Sequence, residues 1–132
     1  FVIVDAAMND LLRPSLYQAH HEIIPVSVTA PIAKREVYDV VGPVCETGDV
    51  IATDRRLAPV AADDLLAVSC AGAYGAVMAS GYNSRLLVPE VLVNRDKFSV
   101  VRPRQTYEEM LSQEKIPPWL NDGPRNKASG PV

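Results

Sequence analysis

Short apolar runs separated by turn residues constrain the fold of this chain more than any other feature. The runs are rich in β-branched residues and lack helical spacing, so each is typical of a β-strand. The runs at 22–28 and 36–44 each contain a proline, which favours a strand end, an edge or a bulge there. The predicted strands are residues 1–5, 22–28, 36–44, 50–53, 65–70, 89–94 and 97–102, the last two joined as a hairpin.

Helical signals are fewer and more local. Residues 8–14 are predicted to form a loop with one helical turn, because Pro14 disfavours a helix through the residue before it. The small residues of 72–80 predict a short helix or tight turn that packs closely against a neighbour. Residues 106–109 have the spacing of a capping box, which predicts a short helix to about Gln113.

Strands therefore outnumber helices, with residues 54–59 predicted to be a turn between two of them. We predict a mainly β fold, an antiparallel Greek-key-like β-barrel or sandwich with a few short helices. The 132 residues have room for one core, so one domain is predicted over residues 1–120 and a flexible tail over 121–132. The sequence opens inside an apolar strand and without a methionine, and we therefore expect it to be a fragment of a longer polypeptide.

The charge of the chain bears on its partners and its location. A net charge of −3 disfavours nucleic acids and anionic membranes, which both call for an excess of basic residues. No apolar stretch approaches the roughly 20 residues that cross a bilayer. We expect a cytoplasmic protein in which Cys45 and Cys70 are free thiols. His20 and His21 lack further ligands at metal spacing, so no metal site is expected.

Four polar clusters interrupt the apolar runs. They are Arg13 with Tyr17, residues 45–49 (Cys-Glu-Thr-Gly-Asp), Tyr74 between two glycines, and residues 82–85 (Tyr-Asn-Ser-Arg). Each cluster alone has an ordinary structural explanation, because arginines are usually solvated, tyrosines usually pack with an exposed hydroxyl, and Gly-Asp is a common turn. Only their combination favours a catalytic or binding role.

In their order, these clusters resemble the C-terminal domain of the diaminopimelate decarboxylase family. The similar segments are VDAAMNDLLRPSLY at 4–17, HEI at 21–23, GPVCETGD at 42–49, GAYGAVMASGYNSR at 72–85 and PEVLV at 89–93. TYEEML and PPWL near the end of the chain are also similar to the ending of that family. The resemblance covers most of the chain.

The resemblance implies the fold and the reaction of a larger enzyme. In that family an N-terminal (β/α)₈ barrel holds pyridoxal 5′-phosphate, a C-terminal β-domain completes the site, and a homodimer shares its active sites. The implied reaction converts the small molecule meso-2,6-diaminopimelate to L-lysine and CO₂, the last step of lysine biosynthesis. The Schiff-base lysine of the family has no similar motif around Lys34, Lys97, Lys115 or Lys127, so the isolated chain is expected to be inactive.

The resemblance also implies roles for five side chains. Cys45 is the expected proton donor, delivered across the dimer interface, and a thiol suits this role because it is mostly protonated near neutral pH. Glu46 is expected to bind the distal ammonium of the substrate, and Arg13 and Tyr17 a substrate carboxylate. Tyr74 is expected to contact both the cofactor phosphate and the substrate.

Alternatives to this reading stay open. A related ornithine or arginine decarboxylase would share the mechanism, but its equivalent loop usually has Cys-Asp, so Glu46 favours diaminopimelate. A non-catalytic regulatory module on the same scaffold would have no need of the five polar side chains. Gly81 and Thr47 depart from the residues common in the family, and Asn83 and Arg85 are expected to support the structure around the site.

Overall fold

The computed structural model describes residues 1–27 and 35–121. The strands are β1 (Val2–Ile3), β2 (Ile23–Pro25), β3 (Glu36–Val41), β4 (Val50–Leu57), β5 (Leu66–Val68), β6 (Glu90–Asn94) and β7 (Lys97–Arg102). The helices are α1 (Arg13–Tyr17), α2 (Ala73–Met78), α3 (Tyr107–Leu111) and α4 (Pro118–Asn121), and Tyr82–Ser84 form one 3₁₀ turn. A mainly β fold with a few short helices is therefore confirmed. Most of the predicted tail lies outside the described residues, and the domain boundary stays a prediction.

The described strands form three sheets, in the orders β1-β3-β4, β2-β5 and β6-β7. The pairs β3-β4, β2-β5 and β6-β7 are antiparallel, as expected, whereas β1 runs parallel to β3. A parallel pair needs a crossover connection, and the segment between β1 and β3 is long enough because it contains α1 and β2. Within the described residues these sheets do not close into a barrel.

The core lies where the β3-β4 hairpin meets β2. Val40 from β3 is 1% exposed, and it packs with Ile51, Ala52 and Leu57 from β4 and with Ile23 from β2. A cleft of about 1130 Å³, lined by apolar and charged residues, adjoins this core between β1, β2, β5 and α2. The small residues of α2 allow it to pack closely there, since a side chain at Gly75 would meet Leu11 at 3.3 Å.

The prediction of a turn over residues 54–59 is wrong for its first part. Strand β4 continues to Leu57, with Arg55 opposite Tyr38. The register shifts next to Asp54, which has a φ of 53° and donates its backbone N–H to the Asp39 carboxylate at 3.0 Å. A bulge thus accommodates the polar residues that suggested a turn, and the ladder resumes after it.

The helix predicted from residue 106 is confirmed with a shifted end, whereas the helical turn predicted within residues 8–14 is displaced. Helix α1 runs from Arg13 to Tyr17, and Pro14 occupies its first turn, where its missing N–H costs no hydrogen bond. The capping box of α3 is present, with Thr106 accepting from the Glu109 backbone N–H at 3.1 Å and Glu109 accepting from the Thr106 N–H at 2.8 Å. That helix ends at Leu111.

Two valines of β3 provide a test of where the core lies. We expect Val40→Ala to lower the free energy of unfolding by about 2 kcal/mol, because it removes buried methyl groups and leaves a cavity. Val37→Ala in the same strand is the matched control, since Val37 is 55% exposed, and it should cost less than about 0.5 kcal/mol. Urea denaturation measures both values, and equal costs would contradict this account of the core.

Candidate functional site

The loop between β3 and β4 carries the Cys-Glu-Thr-Gly-Asp cluster, and Asp49 organises it. Asp49 is 3% exposed, and its carboxylate accepts hydrogen bonds from the backbone N–H groups of Met8 at 2.6 Å and Val44 at 2.7 Å. Its carbonyl accepts from the N–H of Gly42 at 3.0 Å. A buried carboxylate needs such partners, and here they come from the loop itself and from the segment before α1.

Gly42 leaves the space that the Asp49 carboxylate fills. A Cβ at this position would lie 2.5 Å from Oδ1 and 2.6 Å from Cγ of Asp49. No side chain fits at those distances, so the glycine is required by the close approach of the carboxylate. The glycine and the aspartate therefore form one structural unit at the two ends of the loop.

A second contact attaches α1 to the same loop. The Ser15 hydroxyl in α1 donates a hydrogen bond to the carbonyl of Gly48. Helix α1 carries Arg13 and Tyr17, and the loop carries Cys45 and Glu46. The attachment therefore brings together the two segments that hold four of the five predicted site residues.

Tyr74 joins this group through Arg13. The guanidinium carbon of Arg13 lies 5.5 Å from the centroid of the Tyr74 ring, within the range of a cation–π contact. Tyr74 is the second residue of α2 and is 65% exposed. The contact places a cation and a phenol side by side at the surface.

Glu46 is held by Tyr82, which was not among the predicted site residues. The Tyr82 hydroxyl donates a hydrogen bond to Oε2 of Glu46 at 3.0 Å. This hydrogen bond raises the pKa of the Tyr82 phenol above its ordinary value, and the negative charge of Glu46 and desolvation add to the effect. The phenol therefore stays a donor over the physiological range. The only signal for Tyr82 in the sequence was its position in the polar cluster at residues 82–85.

The segment 80–85 that carries Tyr82 is fixed at both ends to the segment before α1. At one end the buried Asn9 side chain donates to the Ser80 carbonyl at 3.3 Å, and the Ser80 N–H donates to the Asn9 carbonyl at 2.9 Å. At the other end Arg85 donates to the Asp5 carbonyl at 2.6 Å and lies 3.5 Å from the Asp10 carboxylate. Asn9 and Asp10 make these contacts with residues that are distant in the sequence, so no local sequence pattern predicts their roles.

The structure joins only some of the predicted site residues directly. Arg13 contacts Tyr74, and the contacts recorded for the described residues include none from the side chains of Tyr17 or Cys45 to the other three. Cys45 and Cys70 are both exposed and free. Roles in substrate or cofactor binding are untested by this geometry and stay predictions.

Two further properties hold for residues 1–27 and 35–121. No group of three or more histidines, cysteines and carboxylates in these ranges could hold a metal ion. None of the helices in this part of the chain combines the length and the apolar character needed to cross a membrane. His21 is buried, with Nδ1 lying 3.1 Å from the carbonyl of Ser69.

The chain is similar to known proteins over most of its length. A family model described as the C-terminal sheet domain of pyridoxal-dependent decarboxylases matches residues 1–72. The diaminopimelate decarboxylase of Zymomonas mobilis is 54% identical over 120 residues, which are 91% of this chain and 28% of that protein. The chain thus spans a little over a quarter of the length of this curated relative.

Solved structures show the same similarity. The crystal structure of diaminopimelate decarboxylase from M. jannaschii superimposes with a TM-score of 0.82 at 38% identity, covering 89% of this chain and 26% of that one. Its complex with L-lysine gives a TM-score of 0.81 at the same identity and coverage.

The pairing of Gly42 with Asp49 can be tested by a double-mutant cycle. We expect Asp49→Ala to lower the free energy of unfolding by about 2–4 kcal/mol, because two backbone N–H groups lose a charged acceptor. Gly42→Ala should also destabilise, since its methyl group collides with the carboxylate. The double variant should cost less than the sum, because removing the carboxylate removes the collision. Additive costs in chemical denaturation would show that the two residues act independently.

Proposed function

The chain belongs to the pyridoxal-dependent decarboxylases, of which it carries the C-terminal sheet domain, and from this membership we propose that it is part of a meso-2,6-diaminopimelate decarboxylase. Membership confirms the resemblance drawn from the sequence. The observation that carries the specific proposal is the exposed Cys45-Glu46 pair on a loop that Asp49 and Ser15 fix next to α1. The proposed reaction forms L-lysine and CO₂ in a homodimer, as the last step of lysine biosynthesis, and the cytoplasmic location stays a prediction.

The residues of this chain fit a contribution to binding pyridoxal phosphate. The exposed Tyr74 phenol offers a hydrogen-bond donor that suits a phosphate oxygen. Lys97 lies in β7 and Lys115 follows α3, in segments that make none of the contacts described for the site. We assign Tyr74 a phosphate contact, and from the family membership we assign most of the binding and the Schiff-base lysine to a barrel domain outside this chain.

Substrate recognition follows from the two segments that Asp49 and Ser15 hold together. The Arg13 guanidinium, supported by the Tyr17 phenol, suits a carboxylate because it presents forked donors. Glu46 suits an ammonium because a carboxylate and an ammonium form a charge-assisted contact, and this contact selects substrates that carry the second amino group. Diaminopimelate has both an ammonium and a carboxylate at its distal end. Arg13, Tyr17 and Glu46 together therefore recognise that end in this proposal.

Cys45 supplies a proton in this proposal. Pyridoxal phosphate, when bound, supplies the electron sink that lets CO₂ leave an amino acid. The Cα of the product must then take a proton, and the Cys45 thiol is proposed to donate it. Because Cys45 is exposed on this chain, its thiol is available to a site formed with a second subunit.

The first test is the activity of the complete protein. We expect the full-length protein with pyridoxal phosphate to release CO₂ from meso-2,6-diaminopimelate, and the isolated 132-residue chain to release none. Manometry or a coupled CO₂ assay measures both. Activity on ornithine or arginine without activity on diaminopimelate would reject the proposed substrate.

The second test concerns the proton donor. In the full-length protein, Cys45→Ala should lower kcat by about 10²–10⁴-fold, the usual contribution of a positioned acid, and should change KM much less. Cys70→Ala is the matched control because Cys70 is also exposed and free, and it should leave both constants unchanged. A kcat that Cys45→Ala does not change would remove Cys45 from this role.

A further inference from the structure

The hydrogen bond between Tyr82 and Glu46 joins two exposed side chains that lie 36 positions apart in the sequence. Tyr82 is 46% exposed, and Glu46 lies on the surface loop after Cys45. Hydrogen bonds between exposed groups contribute little to folding because water replaces either partner readily. The contact therefore contributes little to the stability of the fold. Because Glu46 follows Cys45 directly, we consider a role of the contact in the candidate site.

The backbone around Tyr82 is held in an unfavourable conformation. Asn83 and Ser84 both have left-handed φ angles, 59° and 56°, and such angles are uncommon for a serine. The anchors at Ser80 and Arg85 determine the path of this segment from both sides. Strain that the surroundings impose in this way is typical of segments that place a functional side chain.

Among the described residues, the two oxygens of Glu46 differ in their hydrogen bonds. The Tyr82 hydroxyl donates to Oε2, whereas Oε1 has only the Gly48 N–H as a donor there, at 3.5 Å, which is too long to compete with a charged ligand. A phenol is a neutral donor, so it fixes the carboxylate plane without cancelling the negative charge. A lysine or arginine in its place would neutralise Glu46 and compete with an incoming ammonium.

We propose that Tyr82 is a positioning residue that orients Glu46 so that its free oxygen accepts the second amino group of the substrate. This inference rests on the proposed function, because Glu46 reads that amino group only if the substrate is a diamino acid. Tyr82 touches neither the substrate nor the reacting carbon in this arrangement. It sets specificity through Glu46, which contacts the second amino group of the substrate.

Tyr82→Phe in the full-length holoenzyme tests the proposal, because it deletes only the hydroxyl. We expect the KM for meso-2,6-diaminopimelate to rise about tenfold with little change in kcat, as expected when a carboxylate loses a hydrogen bond. The inhibition constant of 2-aminopimelate, which keeps the distal carboxylate but lacks the second amino group, should not change. Tyr107→Phe is the matched control in α3, outside the site, and it should change neither value.

The outcomes separate this proposal from the proposed function. An equal weakening of both ligands would show a merely structural role for Tyr82 and overturn the proposal, as would no weakening of either. If the wild-type protein does not act on diaminopimelate, the proposed function fails and the inferred role fails with it.

The contact can also be tested without substrate, by measuring the pKa of the Tyr82 phenol. This pKa is obtained from the difference in ultraviolet absorbance between wild type and Tyr82→Phe as the pH is varied. Glu46→Gln should lower its pKa, and an unchanged pKa would overturn the contact itself.

Discussion

The buried carboxylate of Asp49 is the interaction on which the candidate site depends. It binds backbone N–H groups from two separate segments, and Gly42 leaves the space that it needs. Once the loop is closed in this way, Ser15 can attach α1 to it, and Tyr82 can reach Glu46. The exposed side chains of the site are thus supported by one buried carboxylate, whose partners among the described residues are backbone groups.

Local sequence patterns predicted those parts of the fold that local interactions decide. The capping box at Thr106, the hairpin of β6 and β7 and the mainly β class all followed from spacing and residue type. The turn predicted at Asp54 was wrong in part because polar residues in an exposed hairpin can keep pairing around a bulge. Pairing of β1 with β3 in parallel could not be predicted, since it depends on which distant strand offers a free edge.

The residues of the candidate site also divide into those that the sequence identified and those that it did not. Cys45, Glu46 and Tyr74 were identified through a resemblance, because alone each is compatible with an ordinary turn or surface residue. Asp49 was read as a turn residue, although the structure buries it, and the burial depends on Met8 from another segment. Tyr82 was missed as a partner of Glu46 because nothing in either segment specifies the distance between them.

The contacts that build the site also have a consequence for the order of folding. The hydrogen bonds from Met8 to Asp49, from Ser15 to Gly48 and from Tyr82 to Glu46 span 41, 33 and 36 positions of the chain. The β3-β4 and β6-β7 hairpins close much shorter loops, and short loops close at a lower entropic cost and sooner. We therefore expect the hairpins to form early, and the surface of the candidate site to be assembled late, on strands that have already paired.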